Sequence, residues 1–167
     1  MKFTIGFDRA DKGKLFSYFD EIMESGRWSE GRFTQEFEAK WEQHNRAFSV
    51  AFGSWTGAAL ACLEYYNLKG KLILCPSNTF MATPLVNLQF GCPVEFVDCN
   101  RSDLCMNVDD LKEKVEKFKP SAVWLVHIGG HIAFQVEEIA EFCRQKGIVL
   151  LEDCAHAHGA SWHGKKP

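Results

Sequence analysis

Five short runs of apolar residues recur along the chain, at Ala47 to Phe52, Leu72 to Cys75, Val94 to Val97, Ala122 to His127 and Ile148 to Leu151. Each is nearly continuously apolar, whereas a strand with one wet face alternates between apolar and polar residues. Runs of this kind suit strands covered on both sides, and the segments between them are long enough for crossover helices. The pattern predicts an α/β fold: a mainly parallel sheet with helices on both faces, a three-layer sandwich. The expected helices are Thr56 to Tyr66, Thr79 to Phe90, Val108 to Phe118 and Phe134 to Lys146, with Gly91 and Gly147 placed as C-terminal stops. Pro76, Pro93 and Pro120 fall at strand or loop boundaries, where a missing N–H does no harm.

The residues ahead of these runs read differently. Leu15, Phe16, Phe19, Ile22 and Met23 fall at helical spacing and Ser25-Gly26 stops them, so a helix precedes residue 25. Phe33, Phe37 and Trp41 then repeat at every fourth position among charges, a second helix with one aromatic stripe whose simplest use is core packing. At 167 residues the chain matches the usual size of one domain, about 100 to 200 residues. The expectation is therefore a single domain over 1–167 with a helical arm over 1–46.

Charge and apolar content narrow the function classes. Lys plus Arg number 19 against 22 Asp plus Glu, a formal net charge of −3, so there is no basic excess for a phosphate backbone and nucleic acid is not an expected partner. No window approaches the ~20 apolar residues of a membrane span, and Met1 to Arg9 gains charge too early for a signal peptide, so no membrane contact is expected and the cytoplasm is the expected compartment. Seven cysteines without a Cys-x-x-Cys pair resemble neither a disulfide framework nor a zinc ribbon. They read as reduced thiols, with Cys75, Cys99 and Cys143 beside apolar patterns as small hydrophobes.

In open parallel sheets ligands gather at the carboxyl ends of strands, and four loops there carry unusual polar content. Gly53-Ser54-Trp55-Thr56-Gly57 runs into a helix and offers N–H groups to an anion such as phosphate, or is an ordinary capped turn. Cys75 to Thr83 places Phe80 in the first turn of a helix, where it stacks on a flat ring or joins the core. His127-Ile128-Gly129-Gly130-His131 sets a histidine before a flexible glycine pair. Glu152-Asp153-Cys154-Ala155-His156-Ala157-His158 joins two acids to alternating imidazoles. With His127, His131 and His163 these residues suggest a metal set, but their spacing matches no zinc pattern, and no metal site is expected. A carboxylate at the end of a buried strand instead suits a protonated ring nitrogen.

Taken in order, the phosphate turn, Thr79-Phe80, Gly91-Cys92-Pro93-Val94-Glu95-Phe96-Val97-Asp98, His127 with its glycines, and Glu152-Asp153-x-Ala155-His156-Ala157-His158-Gly159-Ala160 resemble the large domain of the DegT/StrS-type sugar aminotransferases. These are fold-type I enzymes that use pyridoxal 5′-phosphate (PLP). The resemblance runs from about Ser25 onward. It implies that Asp153 keeps the pyridinium nitrogen protonated, His156 lies near the phenolic oxygen as the catalytic-site histidine, Phe80 stacks on the ring, and Thr56 and Gly57 bind the phosphate. It implies transfer of an amino group, probably from glutamate, to a nucleotide-linked keto-sugar by a homo-oligomer. Trp55 beside Thr56-Gly57, and Ile132-Ala133-Phe134 after Gly130, depart from the family pattern. The Schiff-base lysine and the C-terminal small domain of the family fall beyond Pro167, so these residues alone are expected to be incomplete for the reaction. The alternative expectation is a non-catalytic binding or assembly module that keeps the cofactor-domain fold.

Overall fold

The computed structural model describes residues 6–167, so the first five of the N-terminal residues weighed above as a signal peptide lie outside it. The chain divides into two compact units, residues 1–51 and residues 52–167.

The first unit holds α1 (Arg9–Ser25) and α2 (Arg32–Asn45). Asp8 caps α1 by accepting the Asp11 N–H at 2.7 Å, and Gly26 ends it at φ +64°, a left-handed turn that glycine adopts without strain. Tyr18 and Phe33 bring their rings within 4.5 Å and Arg32 pairs with Glu21 at 2.9 Å, tying the two helices. Neither helix buries a residue completely. The stripe read as core packing is therefore surface: Phe37 is exposed, and Phe33 and Trp41 are half-buried.

The run from Ala47 to Phe52 is not a strand. Phe48 is fully exposed, and the backbone N–H groups of Ser49 and Ala51 donate to the carboxylates of Glu42 and Glu38 on α2. An apolar run becomes a strand only where a neighbour offers backbone partners, and here side chains of the preceding helix take that role.

The second unit builds the expected sheet with four strands: β1 (Ile73–Pro76), β2 (Val94–Val97), β3 (Ala122–Val126) and β4 (Val149–Asp153), all parallel, in the order β2-β1-β3-β4. The alternating side chains divide cleanly. Ile73, Cys75, Ala122 and Trp124 pack with α3 (Trp55–Tyr65) and α4 (Ala82–Phe90), while Leu74, Val123 and Leu125 pack with α5 (Val108–Phe118) and α6 (Val136–Lys146). The result is an α/β/α sandwich. Crossover handedness accounts for it: α4 leads from β1 to the strand on one side, whereas α5 and α6 carry the chain back the other way. Right-handed crossovers in opposite directions must lie on opposite faces.

Two expected elements shift. Glu152 and Asp153 are the last residues of β4 rather than the start of a loop, because Leu125 and Val126 pair with them and the His127 N–H donates to the Asp153 carbonyl. Helix α4 starts at Ala82, so Phe80 sits in a turn ahead of it and not in its first turn.

Candidate functional site

Strands β1 and β3 are neighbours whose outgoing connections run in opposite directions, one to β2 and the other to β4. Such a reversal opens a crevice at the carboxyl ends of the strands, the usual ligand position in sheets of this type. The polar loops singled out in the sequence follow β1, β3 and β4 at that end.

Asp153 is 6% exposed. One carboxylate oxygen accepts the Ala155 N–H at 3.0 Å and the other accepts the Thr83 hydroxyl at 3.4 Å. Since a hydroxyl has one proton and Thr83 gives it to Asp153, the 3.0 Å contact between Thr79 and Thr83 is a donation from Thr79. A chain of hydroxyls therefore runs from Thr79 through Thr83 to the carboxylate. The Thr83 N–H also donates to the carbonyl of Phe80 at 3.1 Å, which anchors the turn that presents Phe80. That side chain is 71% exposed, so it is not core. Thr83 escaped the sequence reading; a small hydroxyl residue near the head of an otherwise apolar helix was the available signal.

Glu152, one residue earlier in β4, points to the opposite layer, as alternation in a strand requires. It meets His127 at 2.9 Å, and His127 is fully buried. The Ala133 N–H donates to Nδ1 of His127, so the neutral imidazole carries its proton on Nε2 and donates to Glu152. The same logic applies to His156, which is exposed: its Nδ1 accepts the Gly129 N–H at 3.3 Å, leaving Nε2–H as a free-facing donor in the neutral ring. Gly130, at φ +94°, lies so close that a Cβ there would meet the His156 carbonyl at 3.4 Å. The glycine pair allows this loop to lie against the one after β4.

At the head of α3, Ser54 accepts the Gly57 N–H at 3.1 Å, and Thr56 is exposed on the first turn. Trp55 does not crowd this turn from outside. It is half-buried and its ring lies 5.5 Å from that of Trp124 on β3.

The histidines do not converge on one point. His131 contacts the Asp103 carbonyl at 2.9 Å, and His163 faces Glu137 at 3.4 Å. Two groups, Asp103 with Cys105 and His131, and His127 with Glu152 and Cys154, have ligand atoms within 4.8 Å of one another. Their donors are already committed. Both carboxylate oxygens of Asp103 accept backbone N–H groups, and burial pushes the Cys105 thiol up to about 11. Burial, with the charges of Glu152 and Asp153, pushes the Cys154 thiol up to about 12. Cys75 and Cys143 are buried as expected, Cys99 is half-buried beside Ser77, and all seven cysteines are free. No helix among the described residues is long and apolar enough to cross a membrane.

Residues 10–167 match the DegT/DnrJ/EryC1/StrS aminotransferase family. The chain belongs to that family. It is 30% identical over 169 residues to the GDP-perosamine synthase of Escherichia coli O157:H7, covering 99% of this chain and 46% of that one. It is 27% identical over 157 residues to the L-glutamine:2-deoxy-scyllo-inosose aminotransferase of Streptomyces kanamyceticus, covering 87% of this chain and 36% of that one. Among solved structures it is similar to the E. coli GDP-4-keto-6-deoxy-D-mannose-3-dehydratase with bound hydrated PLP, at a TM-score of 0.84 and 22% identity over 98% of this chain and 43% of that one. The chain thus spans less than half the length of these relatives, the N-terminal portion of the family's large domain.

The family is PLP-dependent, and the residues present fit that cofactor. The carboxylate of Asp153 takes both its hydrogen bonds from neutral donors, which suits it to a charged N–H. The head of α3 carries the positive end of a helix dipole, which suits a phosphate.

Proposed function

We propose that these residues form the cofactor-binding half of a PLP-dependent aminotransferase acting on a keto-sugar or a related polyol ketone. The observation that carries this reading is the placement of Asp153: a buried carboxylate at the end of β4, held by Thr83 and Ala155 beside the switch between β1 and β3. When bound, the cofactor supplies an electron-withdrawing ring that stabilises charge on a substrate carbon. Asp153 keeps a proton on the ring nitrogen, as a charge-assisted contact favours the protonated form. The first turn of α3, with Thr56 and Gly57, receives the phosphate. Phe80 covers a face of the ring, and the Nε2–H of His156 donates to the ring oxygen. Nucleotide-sugar and amino-acid substrates, and association of copies through exposed Met81, Leu85 and Leu88, belong to the same reading of the whole protein.

Titration with PLP, followed by absorbance beside thermal melts, tests it. Asp153→Asn preserves size but loses the charge and one of the two acceptor oxygens, and is expected to weaken binding by about tenfold or more. Glu152→Gln, on the other face, is expected to leave binding within about twofold while costing some stability through His127. Equal cofactor affinity in all three proteins would overturn the assignment.

A further inference from the structure

Between the two ends of this site runs a relay of side chains through the interior. Trp55 is the first residue of α3, and its ring packs on Trp124 in the middle of β3. The indole N–H of Trp124 donates to Oδ1 of Asn87 at 3.0 Å. Asn87 is 0% exposed on α4, and its amide N–H donates to the carbonyl of Thr83 at 2.7 Å. The Thr83 hydroxyl then donates to Asp153. The links join α3, β3, α4 and β4 in turn.

We propose that Trp55, Trp124, Asn87 and Thr83 are positioning residues that set the spacing between the phosphate-binding head of α3 and the Asp153 carboxylate. The inference rests on the cofactor reading above and adds to it how the two ends are held in register. Three features support it. An asparagine buried on a helix between apolar layers loses hydration and is retained only where its amide is used, and here both its oxygen and its nitrogen are committed. Trp55 opens α3 and is half-buried, and its contact is with the partner of that asparagine. The side chain of Asn87 reaches the backbone of Thr83, the residue whose hydroxyl holds Asp153. A ligand that bridges two anchors gains when their separation is already correct, because less ordering remains to be done on binding.

The test uses the full chain with three variants, Trp124→Phe, Asn87→Leu and the double substitution. Each single change leaves a buried polar group without its partner and is expected to lower the melting temperature. The double change removes both groups and is expected to recover much of that loss. Affinity is measured for PLP, for pyridoxal and for inorganic phosphate. If the relay sets spacing, PLP binding falls about five- to tenfold in the double variant despite its recovered stability, while pyridoxal and phosphate, each touching one end, change by less than about twofold. PLP affinity that recovers with the melting temperature reduces the relay to a structural role and overturns the inference alone. A wild-type chain that takes up none of the three ligands overturns the cofactor reading, and this inference with it.

Discussion

Phe37 and Leu125 are both large apolar side chains set by regular backbone, and they meet opposite surroundings. Phe37, on α2, is 55% exposed; Leu125, in the middle of β3, is completely buried. The helical unit carries 10 aromatic residues in 51 and the sheet unit 12 in 116, so aromatic content does not decide which unit has the buried core. Geometry does. A central strand has neighbours on both edges and helices over both faces, so each of its side chains is covered whichever way it points. Two helices joined by a short loop cover one stripe each, and the rest of each surface stays wet. The polar contacts differ in the same way. Arg32–Glu21 in the helical unit joins two exposed side chains, whereas Thr83–Asp153 and Trp124–Asn87 lie in the interior.

If burial is what separates the units, hydrogen exchange will show the widest gap. Amides in the centres of β1 and β3 are expected to exchange at least about a thousandfold more slowly than those of α1 and α2, since central strands open only with the whole unit while exposed helices of 17 and 14 residues fray singly. Comparable protection in both would break the comparison. A mutational version has a smaller effect. Leu125→Ala is expected to cost about 2–5 kcal/mol in urea unfolding, and Phe37→Ala about 0.5 kcal/mol. Similar costs would place Phe37 in a hidden core.

The smallest effect lies on the surface of the sheet unit. Hydrogen bonds from Lys119 and Lys146 hold Glu116 down to about 2 against an ordinary 4.5, linking α5 to α6. A carboxyl whose folded value is depressed stabilises the fold above its unfolded value and loses that contribution as pH falls from 4.5 towards 2. Urea midpoints measured at pH 6, 3 and 2 are expected to fall more for the wild type than for Glu116→Gln. The difference should shrink in strong salt, as the group is exposed. A difference that persisted in salt would mark this pair as more than a surface contact.

Much of the sheet unit was legible because its signals are local. Val94–Val97 and Val108–Phe118 begin and end where apolar continuity and helical spacing place them. The failures come from information that is not local. Nothing within Ala47 to Phe52 reveals that Glu38 and Glu42 will take its N–H groups before any strand does. Glu152 and Asp153 look like the start of a loop because they are charged, but a ladder continues wherever the neighbouring strand offers backbone. Similarity to a family picked out Asp153, His156, Phe80 and the head of α3. Thr83, Asn87 and Trp124 were not legible as a group, since their connection exists only once four elements have packed.

Adjacent acids on opposite faces of β4 also limit how this stretch of chain can vary over evolutionary time. Inserting or deleting one residue between Gly147 and Asp153 would slide the strand by half its repeat, sending the carboxylate meant for Thr83 towards His127 and the one meant for His127 towards α4. Such a change leaves the composition almost untouched and reverses the chemistry of the two layers. Length changes in this lineage are therefore expected to collect in the turns on either side of β4, and the strand itself to be inherited at constant length.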